Sequence, residues 1–495
     1  MAAYPPHLTP EQLEQLHTLA QDWASSHGLV VGAPNSAPNR LTQAPYALLP
    51  TPFPRGCFEE ARALQKLFNQ LVDRVSRDDA FIRNVLDQVA QVDEFTGRLY
   101  DVYKQIHAEG QTQQSITLGL HRADYLLHLP AGEERASIRQ VEINTISASF
   151  GALASRTGHL HRYMHTRHCY VLIPGRLYGS PNCPALPENE AHAGYARGLA
   201  AAHKLMAIPN SYVLIVVQEG ERNRFDQRWI EYALWEQHRV PMIRRTMDEL
   251  NERATLDADT KALRIDGLDI SVVYYRAGYG PEDYHSAKAG KDGGSHILPS
   301  RAVKCPSIAY QLVGAKKMQQ VLAEPGALER FFPESPEACR RMRASFAGMY
   351  PLDGSAEGEK AAAAALATPD DYVMKPQREG GGNNVYGRDI PPLLASLSTA
   401  ERSAYILMDL IRPPLMHNWL VRDGAYVKAG VVSELGIYGI WLSQNGSAVV
   451  NDEVGHLLRT KSEEVQEGGV ATGFAVIDSP LLVGDGVFCD WVRNS

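Results

Sequence analysis

The segment 373–387, VMKPQREGGGNNVYG, carries the most unusual chemistry in this chain. A short strand delivers Lys375, a charged stretch follows, and then come Gly380, Gly381, Gly382, Asn383 and Asn384. Consecutive glycines let backbone N–H groups approach an anion closely, and Lys375 and Arg378 add positive charge. Glu379 suits a phosphate loop only if it holds a metal that bridges phosphates. A flexible hairpin tip has the same composition. In 140–149, QVEINTISAS, strand alternation puts Glu142 and Asn144 on one face and Val141 and Ile143 on the other. A carboxylate beside a carboxamide oxygen suits hard Mg²⁺, although an amphipathic edge strand before a Ser-capped helix reads alike.

Two further segments offer polar groups at strand ends. In 456–475, Arg459 and Lys461 share a face if the backbone is extended, and the small-residue loop 468–473 follows. That is the pattern of a lid over an anion, or of a solvated basic pair. Directly after the strand-like run 212–218, QEGERNRFDQR places Glu221, Asn223 and Gln227 where functional loops gather. Their donors and acceptors suit an amino-acid end group, and a solvated helix start is the bland alternative. Arg276 and Tyr279 follow the run 271–276 in the same way. GxxxxGK[ST], GxGxxG after a strand, HExxH and the EF-hand loop are all missing, so any nucleotide is held by another architecture.

The elements that must position these groups alternate. Strand-like runs lie at 138–146, 212–218, 271–276, 372–375, 405–411 and 427–435, with helical stretches between them. This is the pattern of an α/β or α+β enzyme. Thr9, Pro10 and Gln12 open an N-terminal helix whose stripe is Leu13, Leu16, Leu19, Ala20 and Trp23, and Gly28 can end it. Residues 32–56 read as an ordered loop or arm, 57–110 as helical, 280–300 as a surface loop and Asn445-Gly446 as a hairpin turn. Residues 351–370 read as a short helix leading into a new subdomain.

At 495 residues the chain exceeds one compact core, and two or three domains are expected. Hydrophobic residues at 44% and charged residues at 21% exclude a disordered or fibrous chain. A net charge of -8 argues against nucleic acid as partner. No run approaches the ~20 apolar residues of a membrane span, and the first residues lack a secretory signal. Six cysteines are scattered without a CxxC pair. The expectation is a reduced, cytoplasmic chain with no membrane partner.

Taken together, LGLHRADY (118–125), VEINTISASFGALASRT (141–157), ERNRFDQR (221–228), KCPSIAYQL (304–312), KPQREGGGNN (375–384), SELGIYG (433–439), HLLRTK (456–461) and GGVATGFAVIDSP (468–480) resemble the eukaryotic-type glutathione synthetases, in the family order. The resemblance implies a circularly permuted ATP-grasp fold. It implies a catalytic body of 1–209 and 303–495, a lid subdomain at about 350–415 and an inserted α/β substrate-binding domain at 210–302. It also implies a homodimer. The implied reaction joins γ-glutamylcysteine to glycine at the expense of ATP, with Mg²⁺ as cofactor. A homoglutathione-type ligase with another small acceptor, or a non-catalytic nucleotide-binding relative, is the alternative.

By the same resemblance, Glu142, Asn144 and Glu379 match metal ligands. The ATP contacts fall on Glu142, Lys304, Lys375, Pro376, Gln377, Arg378, Glu379, Gly380, Gly381, Gly382, Asn383, Asn384, Tyr386, Met408, Asp409, Leu410, Ile411, Glu434, Lys461 and Glu467. The peptide and acceptor contacts fall on Arg122, Ile146, Ser147, Ala148, Ser149, Glu221, Arg222, Asn223, Gln227, Arg276, Ala277, Gly278, Tyr279, Arg459, Val470 and Ala471. Arg122, Ser149, Gly380, Gly381 and Arg459 are the catalytic candidates. Asp409 stands where many members have Glu, and Glu467 where they have Asp. The implied chemistry is phosphorylation of a carboxylate, then attack by an amine on the acyl phosphate. Cations must offset the repulsion of the two reacting anions, and closure must exclude water.

Overall fold

The computed structural model describes residues 4–37, 39–108, 115–171, 186–284, 299–377, 383–465, 469–470, 473 and 475–493. Three sheets organise the chain. The largest runs Met416–Arg422, Tyr46–Ala47, Ala475–Asp478, Ser447–Ser462, Ala425–Gln444, Ile116–His128, Ser137–Asn144, antiparallel except where Ala475–Asp478 meets Tyr46–Ala47. Its spine is the long hairpin Ala425–Gln444/Ser447–Ser462. The connecting Asn445 and Gly446 both have positive φ, 50° and 82°, which is the two-residue turn expected of Asn-Gly.

The second sheet is parallel at its centre. Met242–Thr246, Tyr212–Val217, Leu268–Tyr275 and Val303–Cys305 align in that order, with Leu263–Ile265 and Ala254–Leu256 antiparallel beyond. Leu214, Val216, Ile265, Ile270 and Val273 bury their own small core on one face. Its ordered helices Ala191–Met206 and Arg224–His238 pack on the other face. The third sheet is antiparallel, Met349–Pro351, Tyr405–Asp409, Tyr372–Pro376, Val385–Tyr386. It carries the helices Ala356–Ala367 and Ile390–Ser396 over a core of Leu352, Ala361, Met374 and Leu407.

Most sequence-derived elements are present within a few residues. The first helix, Pro10–Ser26, has the reciprocal Thr9/Gln12 capping box and buries Leu16 and Ala20. Helices Arg55–Ser76, Asp79–Leu86, Val89–Val92 and Glu94–Ala108 fill the stretch read as helical. Two readings differ. The supposed arm at 32–56 contains strands Leu41–Gln43, Tyr46–Ala47 and Thr51–Pro54. Thr51–Pro54 tolerates its prolines because it pairs on one side only, with Pro480–Val483. Strand Ile116–His128 is absent from the strand-like runs, because its buried His121, Arg122 and Asp124 hide the apolar pattern. In the 280–300 loop a short turn of helix spans Pro281–Asp283, and 285–298 lies outside the described residues. Among the described residues, no helix is long and apolar enough to cross a membrane.

Candidate active site

A cavity of about 550 Å³ opens where the three sheets meet. The large sheet contributes side chains in alternate pairs, as a strand must: Glu142 with Asn144, Val432 with Glu434, and Arg459 with Lys461. The small antiparallel sheet brings Lys375 and Met408–Ile411, and Asn383, Asn384 and Tyr386 follow. The loop 144–150 and the strand ends at Gln218 and Arg276 close the far end with Glu221, Asn223 and Tyr279.

Asp124, fully buried, is the hub of the site. Arg122 donates Nε and Nη2 to its two oxygens at 2.6 and 2.8 Å. Asn144 Nδ2 and Arg459 Nη2 each reach Asp124 Oδ2 at 2.9 Å. Arg459 also donates to Glu434, and Arg122 Nη1 to the Ser149 carbonyl at 3.2 Å. One carboxylate therefore fixes three cavity-lining side chains from three strands. Gly436, directly opposite Asp124 on the next strand, leaves room for this pair: a Cβ there would meet both Arg122 Cδ and Asp124 Oδ1 at 2.7 Å.

On the neighbouring wall, Glu142 Oε2 accepts from Lys316 Nζ at 2.8 Å. Burial works against its charge, but Lys316 and Lys375 hold the Glu142 carboxyl well below the ordinary carboxylate range. Glu434 is displaced the other way: burial raises it, Arg459 opposes, and Asp124 and Glu142 add to the rise. Lys375 Nζ lies 3.2 Å from the Val141 carbonyl. Val141 is therefore among the lining residues, and the contact it makes with Lys375 is through its backbone carbonyl.

The far end is organised around a second buried carboxylate, Asp226. Asp226 accepts the N–H groups of Phe150 and Ala152 at 2.8 Å and the Arg276 guanidinium at 3.2 Å. Arg276 Nη1 and Asn223 Oδ1 are buried without a hydrogen-bond partner among the described residues. Leaving such groups unpaired costs about 1–3 kcal/mol each, which a carboxylate and an ammonium would recover. Ser147 and Phe150 hold left-handed backbone, φ 52° and 71°, a strain found where a loop serves a site.

The structure gathers Arg122, Glu142, Asn144, Ile146, Ser147, Ser149, Glu221, Asn223, Arg276, Tyr279, Lys375, Asn383, Asn384, Tyr386, Met408, Asp409, Leu410, Ile411, Glu434, Arg459, Lys461 and Val470 around this one cavity. Ala148, Arg222, Gln227, Ala277, Gly278, Lys304, Pro376 and Gln377 do not line it. Gln227 lies one layer behind, donating to Glu221 Oε2 at 3.1 Å. Arg222 turns to the Gly32 carbonyl. Lys304 is buried with its Nζ on the Ser300 carbonyl, and burial lowers it to about 7. Arg378, Glu379, Gly380, Gly381, Gly382, Glu467 and Ala471 lie outside the described residues.

The cavity thus has Arg276 and Asn223, each with an unpartnered buried atom among the described residues, at one wall and Glu142, Lys316, Lys375 and Lys461 at the other. A family model for the ATP-binding domain of eukaryotic glutathione synthase matches residues 10–482. This chain belongs to that family. Glutathione synthetase of Homo sapiens is 43% identical over 477 residues, which cover 96% of this chain and 98% of the human one. That of Dictyostelium discoideum is 40% identical over 95% of this chain and 99% of its own. The chloroplastic glutathione synthetase of Solanum lycopersicum is 40% identical over 97% and 86%. A glutathione synthetase-like effector from Globodera pallida shares the fold, with a TM-score of 0.76 at 23% identity over 96% of this chain and 98% of its own. Family membership makes the chain an ATP-dependent ligase with an ATP-grasp-type mixed α/β fold.

Against that background, the lining residues that sequence reading missed are informative. Lys316, Gln218 and Phe150 all reach the cavity, and Asp124 stands directly behind it. For Asp124 the signal was present: Arg122 and Asp124 are two apart in one strand and must share a face. For Lys316 no local signal exists, since its partner is 174 residues away.

Proposed function

We propose that the chain joins γ-L-glutamyl-L-cysteine to glycine, using ATP and releasing ADP and phosphate. The observation that carries this reading is the single cavity of about 550 Å³ shared by the two sets of residues. Arg276, Asn223 and Glu221 would hold the glutamyl end, and Tyr279 would close over it. Arg122 and Arg459, fixed by Asp124, would face the reacting carboxylate and the developing oxyanion. Ser149 stands beside Arg122 through its carbonyl. Val470, a small apolar residue at the lining, supports glycine as acceptor together with Ala471.

At the other end, Lys375 and Lys461 would face phosphates, and Met408–Ile411 with Glu434 would hold the nucleoside. Asp409 keeps the acidic group of that segment, one methylene shorter than Glu in reach. Glu142 and Asn144 present oxygen ligands on one strand face, a donor set that fits a hard divalent cation, with Glu379 as the third ligand. Mg²⁺ bound there would offset the charge of the triphosphate as the carboxylate approaches it. Gly380 and Gly381 would direct backbone N–H groups at the γ-phosphate, and the loops 378–384 and 466–473 would exclude water from the acyl phosphate. Lys304 would add to the phosphate contacts once its carbonyl partner is released. We assign no cysteine to catalysis; Cys57, Cys305, Cys339 and Cys489 are buried free thiols.

The separate apolar core around Leu214 and Val273 supports 210–302 as the inserted substrate-binding domain within a body of 1–209 and 303–495. The core around Leu352 and Met374 supports a lid at about 350–415. A cytoplasmic homodimer completes the proposal, and light scattering at micromolar concentration tests the dimer. The decisive assay is Mg²⁺-dependent ADP release with γ-glutamylcysteine and glycine, then with β-alanine and with serine, the product identified by mass. Turnover with glycine alone is the expected result. Turnover with another acceptor makes the chain a homoglutathione-type ligase, and ATP binding without any turnover makes it a non-catalytic relative.

A further inference from the structure

Gln218 stands where the strand Tyr212–Val217 ends, and Tyr279 follows the neighbouring strand Leu268–Tyr275. Both line the cavity. Gln218 Nε2 donates to the Tyr279 hydroxyl oxygen at 2.9 Å and to Asp283 Oδ1 at 2.7 Å. Asp283 closes the short turn Pro281–Asp283 and does not line the cavity. Its other oxygen, Oδ2, accepts the N–H groups of Gly278 and Tyr279 at 2.7 and 3.2 Å. The Gly278 carbonyl is held separately by Gln311 Nε2 at 2.8 Å, so the loop has an anchor independent of Asp283.

A carboxylate only accepts hydrogen bonds, whereas a carboxamide has one donating and one accepting end. Asp283 therefore decides which end of Gln218 faces it. The NH₂ must, and its two hydrogens are then used, one on Asp283 and one on Tyr279. A phenol carries one proton and can also accept. The Tyr279 oxygen accepts from Gln218, so its own proton is left to donate, and among the described residues no acceptor takes it. Burial raises Tyr279 above the ordinary phenol range and Asp283 adds to the rise, so the hydroxyl keeps that proton.

We propose that Asp283, acting through the Gln218 amide, fixes the Tyr279 hydroxyl as a hydrogen-bond donor to a carboxylate oxygen at the glutamyl end of the dipeptide. Asp283 and Gln218 are then positioning residues for that end. The inference rests on the reading of this wall as the dipeptide site and deepens it. It makes the polarity of the relay reversible by a change that spares the loop. In Asp283→Asn the one remaining oxygen keeps the two loop N–H groups, and the new NH₂ faces Gln218. Gln218 must then present its oxygen to both neighbours. The Tyr279 proton is drawn to that oxygen, and the ligand loses its donor.

The test is a double-mutant cycle on the full chain. ADP release with Mg²⁺ and glycine is measured at varied γ-glutamylcysteine and at varied ATP. The proteins are the unaltered chain, Asp283→Asn, Tyr279→Phe and the double variant, each checked by a melting curve. Loss of one hydrogen bond to a charged group corresponds to about a tenfold change. Asp283→Asn and Tyr279→Phe are each expected to lower kcat/KM for γ-glutamylcysteine about tenfold, with the KM for ATP changing less. The double variant should fall no further than Tyr279→Phe, because the relay acts only through that hydroxyl. If Asp283→Asn fails to fold, Gln218→Glu, whose carboxylate accepts the Tyr279 proton, carries the same expectations. An Asp283 that only holds the loop gives losses that multiply. Multiplying losses, or full kcat/KM in a folded Asp283→Asn, overturns the relay while the functional reading stands. An unaltered chain that releases no ADP with γ-glutamylcysteine and glycine overturns that reading, and the relay with it.

Discussion

Replacing Gly436 by Ala probes how rigidly the wall around Arg122 and Asp124 is built. The backbone there is ordinary, because Gly436 is not among the residues with positive φ. The added methyl would sit 2.7 Å from Arg122 Cδ and Asp124 Oδ1 and 3.0 Å from Arg122 Nε. Carbon atoms pack comfortably at about 3.5–4.0 Å, so the intruder is roughly 1 Å too close. Neither neighbour can turn away cheaply. Asp124 accepts from Arg122, Asn144 and Arg459, and Arg122 also reaches the Ser149 carbonyl. Overpacking of this kind costs about 1–3 kcal/mol of stability. If Arg122 is displaced, the charge-assisted hydrogen bond proposed above between it and the peptide carboxylate is lost, about 1.5–3 kcal/mol. That corresponds to roughly a 10- to 150-fold fall in kcat/KM for γ-glutamylcysteine. The nearest atoms the methyl meets belong to Arg122 and Asp124, and Glu434 is reached only through Arg459, so the Kd for ATP should change less than kcat/KM. ADP release at varied γ-glutamylcysteine gives kcat/KM, calorimetric titration with ATP gives its Kd, and a melting curve gives stability. Unaltered kcat/KM in a stable variant would show that the Arg122–Asp124 pair yields freely and would refute the rigid-wall argument. An equal loss of ATP affinity would refute it too, since the strand as a whole would then have moved.

Two other perturbations have definite outcomes. Asp124→Asn removes the charge shared by Arg122 and Arg459, so stability should fall by about 3–5 kcal/mol, with the KM for γ-glutamylcysteine rising more than that for ATP; an unshifted denaturant midpoint would count against the hub. Asp478 is buried away from the site, accepting from Thr51 Oγ1 at 2.6 Å, Thr460 Oγ1 at 2.7 Å and the Ser479 N–H at 2.7 Å, with His161 Nδ1 4.0 Å away. Burial pushes Asp478 up to about 7, and burial lowers His161 to about 4, so His161 stays neutral above pH 5. The unfolded chain releases the Asp478 proton near pH 4 while the folded chain keeps it to about 7, so this group's contribution to stability falls as pH rises through that window. The melting temperature of the unaltered chain relative to Asp478→Asn should therefore drop from pH 5 to about pH 7 and level off above it; a flat difference from pH 5 to pH 7 would exclude a titrating Asp478.

Local chemistry was legible without coordinates. The Thr9/Gln12 capping box, the Asn445-Gly446 turn and the alternate-residue pairs Glu142/Asn144 and Arg459/Lys461 all rest on interactions within a few residues, and all are present. Motif order along the chain was enough to indicate the family. The residues that sequence reading missed or misjudged depend on partners far away. Asp124 meets Arg459 across 335 residues, and Lys316 meets Glu142 across 174. The burial of Lys304 behind the cavity, and the pairing that turns the proline-rich 51–54 into a strand, likewise depend on distant segments.

The sequence by itself therefore determined which side chains are available and which faces of single strands they share, because covalent spacing and the two-residue period of a strand settle that. Only the tertiary structure decided which of those faces oppose one another, which charge is held by which counter-charge, and which lysine reaches the cavity. Those outcomes follow from sheet register and burial, which join segments hundreds of residues apart and lower the local dielectric until pairing becomes obligatory.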